Sequence, residues 1–188
     1  MSGPFEERYA EDPDPWRTLS DPYELDKADR AAAACGPGPF ASAIELGAGI
    51  GGLTALLAPR CRALLALDAA PTAVAVAQRR LAEFPQARVR VALLPDDLPA
   101  GLFDLVVASE VLYYLDAGAL ATTIAWIETA LVPGGRLVVV HWTGTAPDLH
   151  HTAEDVGAAL AASECLQPIP GAGGTFPGFR LDVLEGVR

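Results

Sequence analysis

The sequence predicts an α/β domain on a doubly wound, mainly parallel sheet, with an antiparallel pair of strands at its C-terminal end. Three observations carry this. Short runs of Leu, Val and Ala at residues 63–67, 103–108 and 136–140 alternate with longer helical segments, the order that gives an α/β domain. The runs are apolar on both faces, as in parallel strands covered by helices on each side. The last two runs, 165–169 and 179–187, are joined only by a Gly- and Pro-rich connection. A parallel return needs a crossover, so this pair must be antiparallel.

The elements follow in order. Residues 1–19 are polar, with Pro13 and Pro15 around Asp14 and then Trp16. They read as an irregular N-terminal arm, and residues 20–188 as one domain. Ser20 is placed to cap a helix running to about Ala34, with Pro22 in its first turn, where a missing N–H costs nothing. Gly36-Pro37-Gly38-Pro39 ends it. The first strand, 42–46, leads into Glu45-Leu46-Gly47-Ala48-Gly49-Ile50-Gly51-Gly52 and at once into a helix start at Leu53. The second strand, 63–67, stops at Asp68. Pro71 and Thr72 open a helix to about Phe84, with Arg79 and Arg80 near its C-terminal end. The third strand covers 89–93 and the fourth 103–108. A helix follows over 117–131, then a turn at Pro133-Gly134-Gly135 and the fifth strand, 136–140. Thr152 and Asp155 form an N-cap pair for a helix to about Ser163.

At 188 residues and 51% apolar, the chain can bury a full core. Its net charge of −11 argues against nucleic-acid binding, which needs clustered Lys and Arg. Cys35, Cys61 and Cys165 show neither metal-ligand spacing nor a disulfide framework. No apolar run reaches the roughly 18 residues of a membrane span. The first residues lack the basic start and apolar stretch of an export leader. A cytoplasmic location and a small-molecule substrate are expected, with no metal.

The glycine loop is a nucleotide-site signal: strand, glycine turn, helix start, with helix N–H groups pointing into the space the missing side chains leave. Gly47, Gly49 and Gly52 satisfy G-x-G-x-x-G. Asp68 lies 21 residues beyond Gly47, where an acid can bind ribose hydroxyls. These features alone fit a nicotinamide and S-adenosylmethionine equally. Three others favour S-adenosylmethionine. Glu45, two residues before the first glycine, disfavours a pyrophosphate and suits a ligand carrying an ammonium and a sulfonium. There is no room for a separate substrate domain. The antiparallel tail is not the usual nicotinamide pattern. No Gly-Lys-Ser/Thr follows, which excludes a P-loop.

Over roughly residues 40–188 the chain resembles class I S-adenosylmethionine-dependent methyltransferases. The resemblance rests on Glu45 to Gly51, Asp68, Phe103-Asp104-Leu105-Val106-Val107, and Leu131-Val132-Pro133-Gly134-Gly135-Arg136-Leu137. Within that class it is similar to the NodS-like group. That likeness rests on Asp14-Pro15-Trp16, Tyr23-Glu24, Ser109-Glu110-Val111-Leu112-Tyr113-Tyr114-Leu115 and Phe179-Arg180-Leu181-Asp182-Val183-Leu184. The resemblance implies a Rossmann-like, seven-stranded sheet with the last strand antiparallel and helices on both faces. It implies that Gly47, Ala48, Gly49 and Gly51 line the methionine moiety, Asp68 holds the ribose, and Ala69 packs on the adenine. Ser109 and Glu110 would approach the amino-acid end or the methyl. The family often has an acid after the third strand for the adenine amino group. Leu93 and Leu94 stand there in this chain, so Asp96 or backbone must serve, or the contact is missing.

Methyl transfer is an in-line displacement in which positioning supplies much of the catalysis, with a base needed when the nucleophile starts protonated. Glu110 and His141 both follow strands at the ligand-facing sheet edge, and both are candidate bases or substrate contacts. Tyr113 and Tyr114 cannot share one face of a helix, so one belongs to the core and the other, taken as Tyr114, to the pocket. Solvated loop positions are expected for His150 and His151. Trp16 and Tyr23 are candidate cofactor contacts. The arm that carries Trp16 either closes over the cofactor as a lid or simply packs on the domain. The resulting expectation is methyl transfer to a small molecule, with an amine favoured by the subgroup likeness, such as an amino sugar or related metabolite. O-methylation and a cofactor-binding partner subunit without catalysis are the alternatives. A small nicotinamide-dependent reductase is disfavoured, lacking a Tyr-x-x-x-Lys pair. Acceptor identity and oligomeric state are not encoded in these motifs.

Overall fold

The structure, a computed structural model, describes residues 3–188, so the first two residues of the expected arm lie outside it. Its sheet contains the predicted runs: β1 Ala43–Leu46, β2 Leu64–Asp68, β3 Ala87–Val91, β4 Phe103–Ser109 and β5 Leu131–Trp142. These five are parallel. They are followed by β6 Leu166–Pro168, β7 Gly174–Phe176 and β8 Phe179–Gly186. The order is β3-β2-β1-β4-β5-β8-β6. β8 runs antiparallel to β5 and carries β6 and β7 on its outer edge. The chain winds one way from β1 to β3 and the other way from β4 to β5. The topological switch point, where such sheets place ligands, therefore lies between the C-terminal ends of β1 and β4.

The two-residue period of the strands divides the core. Val106, Leu137 and Val139 face a layer formed with Ile124, Ile127, Val156 and Leu160. Leu105, Val107, Val138 and Val140 face a layer with Ala31, Leu53, Leu57 and Phe179. The helices supplying these layers are α2 Pro22–Ala34 and α3 Gly52–Leu57 on one side, and α5 Ala117–Ala130 and α6 Ala153–Ala161 on the other. The capping box expected at Thr152 and Asp155 is present: each residue's side chain bonds the other's backbone N–H, at 3.1 and 2.9 Å.

Five expectations are corrected. Residues 1–19 are not wholly irregular, because Pro4–Glu11 forms helix α1. Tyr9 joins Ile50, Ala70 and Ala73 in a third apolar cluster, against which Phe5, Trp16 and Leu19 pack. The cap of α2 is Asp21, whose carboxylate accepts the Tyr23 N–H at 2.8 Å, not Ser20. With Pro22 as first helical residue, the cap must be the residue before it. Helix α4, Pro71–Arg80, stops four residues early, because Leu81 takes φ −92° and ψ 10°, outside helical geometry. The turn at Pro133-Gly134-Gly135 is a bulge inside β5. The register with β4 jumps from Phe103–Leu131 to Leu105–Arg136, with Gly134 at φ 74°. The three residues of β7 lie in the connection that the sequence left without structure.

Candidate active site

The glycine loop is tied to the neighbouring strand: Gly47 and Ala48 both donate to the Leu67 carbonyl at 2.9 Å. Gly47 and Gly49 have φ of 77° and 52°. A Cβ on Gly47 would sit 2.6 Å from the Val111 Cβ, and one on Gly49 would sit 2.8 Å from the Tyr9 hydroxyl. Only glycine fits both the conformation and the space. Gly51 caps α3 and backs onto Ala77 of α4, so it shapes the loop without lining the cavity.

At the end of β2, Asp68 accepts the Gly49 N–H at 2.7 Å and the Ala70 N–H at 2.9 Å. Burial raises its carboxyl above the ordinary range, and these backbone donors work against that. Each oxygen keeps a lone pair for a ligand hydroxyl. Glu45 is 1% exposed, and its Oε2 has no partner among the described residues. Burial pushes its carboxyl up to about 8, with the Thr54 hydroxyl opposing and the Asp68 charge adding. A buried carboxylate oxygen without a partner costs free energy unless a ligand meets it.

These groups line one cavity of about 1060 Å³, at the upper end of the range for small-molecule sites. Of the predicted residues, it gathers Trp16, Tyr23, Glu45, Gly47, Ala48, Gly49, Asp68, Ala69, Ser109, Glu110 and Tyr114. The second chemical cluster surrounds Glu110, which takes φ 55° just past β4. Its N–H donates to the Val140 carbonyl at 2.8 Å. Its Oε2 accepts the Trp142 N–H at 3.1 Å and the Tyr113 hydroxyl. Its Oε1 lies 2.9 Å from Lys27 Nζ. Lys27, 6% exposed, is also 3.0 Å from Glu24 and 5.1 Å from the centre of the Tyr23 ring. Burial lowers its affinity for a proton, but Glu110 and Glu24 outweigh that and raise it overall. Sequence reasoning missed Lys27 and Glu24 as site residues. One signal was there, since Lys27 is the sole lysine among thirteen basic residues.

Besides Gly51, two further predicted residues do not reach the cavity. His141 is 1% exposed, with its ring 4.6 Å from that of Tyr113 and its Nε2 without a partner among the described residues. Burial pushes its pKa down to about 3, with Arg180 and Lys27 adding. It is a neutral imidazole behind the site, which corrects its reading as a base. The period of β5 is the reason: His141 shares the face of Leu137 and Val139, and the next residue, Trp142, lines the cavity. Asp96 is exposed and off the cavity, whereas Asp97 lines it and accepts the Leu93 N–H at 2.9 Å. The adjacent tyrosines do not divide into core and pocket: Tyr113 is 2% exposed and Tyr114 half-buried, yet both line the cavity, because the Tyr113 hydroxyl reaches Glu110. Tyr23 donates to the Gly178 carbonyl at 2.8 Å and packs on Phe179, which groups it with Lys27 and not with the glycine loop.

Helix α1 lies across this cavity. Glu6 accepts the Thr72 N–H at 2.9 Å and its hydroxyl at 2.6 Å, capping α4 from another helix. Phe5 meets Tyr114 edge-on at 4.8 Å, and Arg8 pairs with Asp148 at 2.9 Å. Among the described residues, no helix is long and apolar enough to cross a membrane.

Comparison with known proteins gives consistent matches. The family described as a methyltransferase domain matches residues 44–137, half of the chain. Nodulation protein S of Sinorhizobium fredii (strain NBRC 101917 / NGR234) is 34% identical over 127 residues, covering 66% of this chain and 59% of that protein. The chain thus spans less than two thirds of that relative's length. The crystal structure of N-methyltransferase NodS from Bradyrhizobium japonicum WM9, in complex with S-adenosyl-L-homocysteine, superposes with a TM-score of 0.86 at 27% identity. It covers 98% of this chain and 97% of that one. A putative methyltransferase from Pseudomonas syringae is 37% identical with a TM-score of 0.74, over 87% of this chain and 98% of that one.

Proposed function

This chain belongs to the methyltransferase domain family, and we propose that it methylates the nitrogen of a small-molecule amine, using S-adenosyl-L-methionine and releasing S-adenosyl-L-homocysteine. The observation that carries the reading is one cavity holding two kinds of site. The glycine loop, Glu45 and Asp68 form a cradle for a cationic nucleoside. Glu110 offers a fixed carboxylate at the adjoining strand end.

The residues fit that cofactor. Glu45 Oε2 is a buried acceptor without a partner, suited to an ammonium, and a Cβ would close the space at Gly47 or Gly49. Asp68 retains lone pairs for ribose hydroxyls, and Val91, Leu93 and Leu94 supply apolar wall near the end of β3. When bound, the cofactor supplies a methyl carbon on a sulfonium, which an acceptor nitrogen attacks in line, forming N–C as C–S breaks with the electron pair left on sulfur. Glu110 accepts a hydrogen bond from the attacking nitrogen and takes the proton that nitrogen must shed. Tyr114 and Trp142 bound the acceptor side and limit water there. Helix α1 acts as a lid, held by Phe5, Glu6 and Arg8. The amine preference draws on the N-methyltransferase description of the superposed NodS structure.

The test is turnover with S-adenosylmethionine carrying a labelled methyl, offered to matched panels of primary amines, including glucosamine, and of alcohols. Labelled product and S-adenosylhomocysteine should form with amines. Transfer to alcohols alone would overturn the amine assignment, and absence of any turnover alongside intact cofactor binding would leave only a binding function.

A further inference from the structure

We infer that Lys27 is a positioning residue for the acceptor: held between Glu24 and Glu110, it fixes the Glu110 carboxylate so that one lone pair is presented to the acceptor nitrogen. The inference rests on the proposed transfer to an amine.

Lone-pair counting gives the first support. An ionised carboxylate has about four acceptor positions. On Oε2 of Glu110, the Tyr113 hydroxyl and the Trp142 N–H take two. Lys27 Nζ lies 2.9 Å from Oε1, which is buried and without a hydrogen-bond partner among the described residues. With the ammonium facing one position, one position on this orphaned oxygen is left, and Glu110 lines the cavity. Without Lys27 both positions on that oxygen would be open, and a carboxylate on a left-handed backbone would lose its third anchor.

Charge gives the second. Glu24, Lys27 and Glu110 sum to −1, so the cluster is balanced by the positive charge that develops on a neutral acceptor nitrogen as it takes the methyl. Glu24 also has a role: it divides the charge of Lys27 between two acids, so the ammonium is not committed to Glu110 alone. The third support is residue choice. Every other basic side chain in the sequence is arginine, and the single lysine is the basic group buried here. An ammonium donates from one compact point, whereas a guanidinium would claim a carboxylate with a two-pronged fork and take the remaining lone pair.

The charged and titratable groups facing Glu110 are few. Lys27, Glu24 and Tyr23 come from α2, and Tyr113 and Tyr114 from the turn after β4. His141 of β5 lies behind Tyr113 and is neutral. Were Lys27 to act by its charge alone, removing it would strengthen the hold of Glu110 on a cationic group, whereas loss of positioning weakens that hold.

Calorimetry with sinefungin reads this without turnover. Sinefungin is an S-adenosylhomocysteine analogue with a carbon bearing an amine in place of the methyl-bearing sulfur. S-Adenosylhomocysteine binding confirms that each variant is folded and normalises its affinity. At one fixed pH the wild type should prefer sinefungin to S-adenosylhomocysteine. Lys27→Met should lower that preference by about tenfold, the scale of a lost charged hydrogen bond. Lys27→Arg should restore it only in part because the fork takes the spare lone pair. If Glu110→Gln keeps the full preference, the assignment of Glu110 to the methyl fails, and this inference with it. If Glu110→Gln abolishes the preference but Lys27→Met keeps or increases it, this inference alone is overturned. Should Lys27→Met not bind S-adenosylhomocysteine, Lys27→Arg decides, and a preference equal to wild type there overturns the inference.

Discussion

Protonation of Glu45 should make cofactor affinity depend steeply on pH. With no ligand, burial holds this carboxyl near 8, so it is largely neutral at pH 7. A ligand ammonium beside it favours the ionised form, and binding then releases the proton. Each pH unit below 8 costs the binding step about 1.4 kcal/mol, the free energy of ionising the group first. The apparent affinity is reduced by a factor of about 1 + 10^(8 − pH), near 100 at pH 6 and near 4 at pH 7.5. S-Adenosylmethionine should therefore bind roughly 25-fold more tightly at pH 7.5 than at pH 6. The window stays below pH 8, where the ligand's own α-amino group begins to lose its charge. Isothermal titration calorimetry in two buffers of different ionisation enthalpy measures both quantities. Close to one proton should be released per ligand at pH 6.5. Glu45→Gln should abolish both the slope and the proton release. A flat affinity profile, or an equal slope in Glu45→Gln, would refute the assignment of this carboxylate to the ligand's positive charge.

Other outcomes follow from the same structure. The folded-state pKa of Glu45 is raised, so its contribution to stability is full below about 4.5 and lost as pH rises through about 8; ligand-free Glu45→Gln should melt several degrees above wild type at pH 8.5 and together with it at pH 4.5. His141 has the opposite sign: its lowered pKa means stability is lost as pH falls below about 6.5, by about 2 kcal/mol at pH 5, and His141→Gln should flatten that limb in thermal melts. Asp68→Ala should weaken cofactor binding by about 1–3 kcal/mol, the range for a lost charged hydrogen bond, and unchanged affinity would remove it from the ribose role. Glu6→Ala removes the cap on α4, worth about 1 kcal/mol; hydrogen exchange over residues 4–11 should quicken and the cofactor should leave faster.

The central sheet was legible because its strands are apolar on both faces, a pattern few other structures share. The antiparallel end was legible from what its connection lacked. Helix α1 was not: only Tyr9 of its eight residues is buried, and its stability comes from Glu6 on Thr72 and Phe5 on Tyr114, contacts between residues some seventy or a hundred positions apart. The cradle could be read locally, since Gly47, Gly49 and Asp68 answer to backbone geometry beside their own strands. The acceptor side could not. Lys27 and Glu110 meet across 83 positions, and no periodicity records that meeting. His141 shows the limit in one residue: the end of β5 does border the cavity, but a half-turn of the pleat hands that position to Trp142.

Glu6 gives one side chain two duties, ending a helix of the domain and holding down the cover of its cavity. In the lid role proposed for α1, thermal robustness and catalytic throughput are thereby placed in opposition. A change that strengthens this clasp would raise the melting temperature and lengthen product residence in the same stroke. An engineer seeking a hardier catalyst would do better to work on the far edge of the sheet, where β6 and β7 are short and can be reinforced without slowing the traffic of ligands.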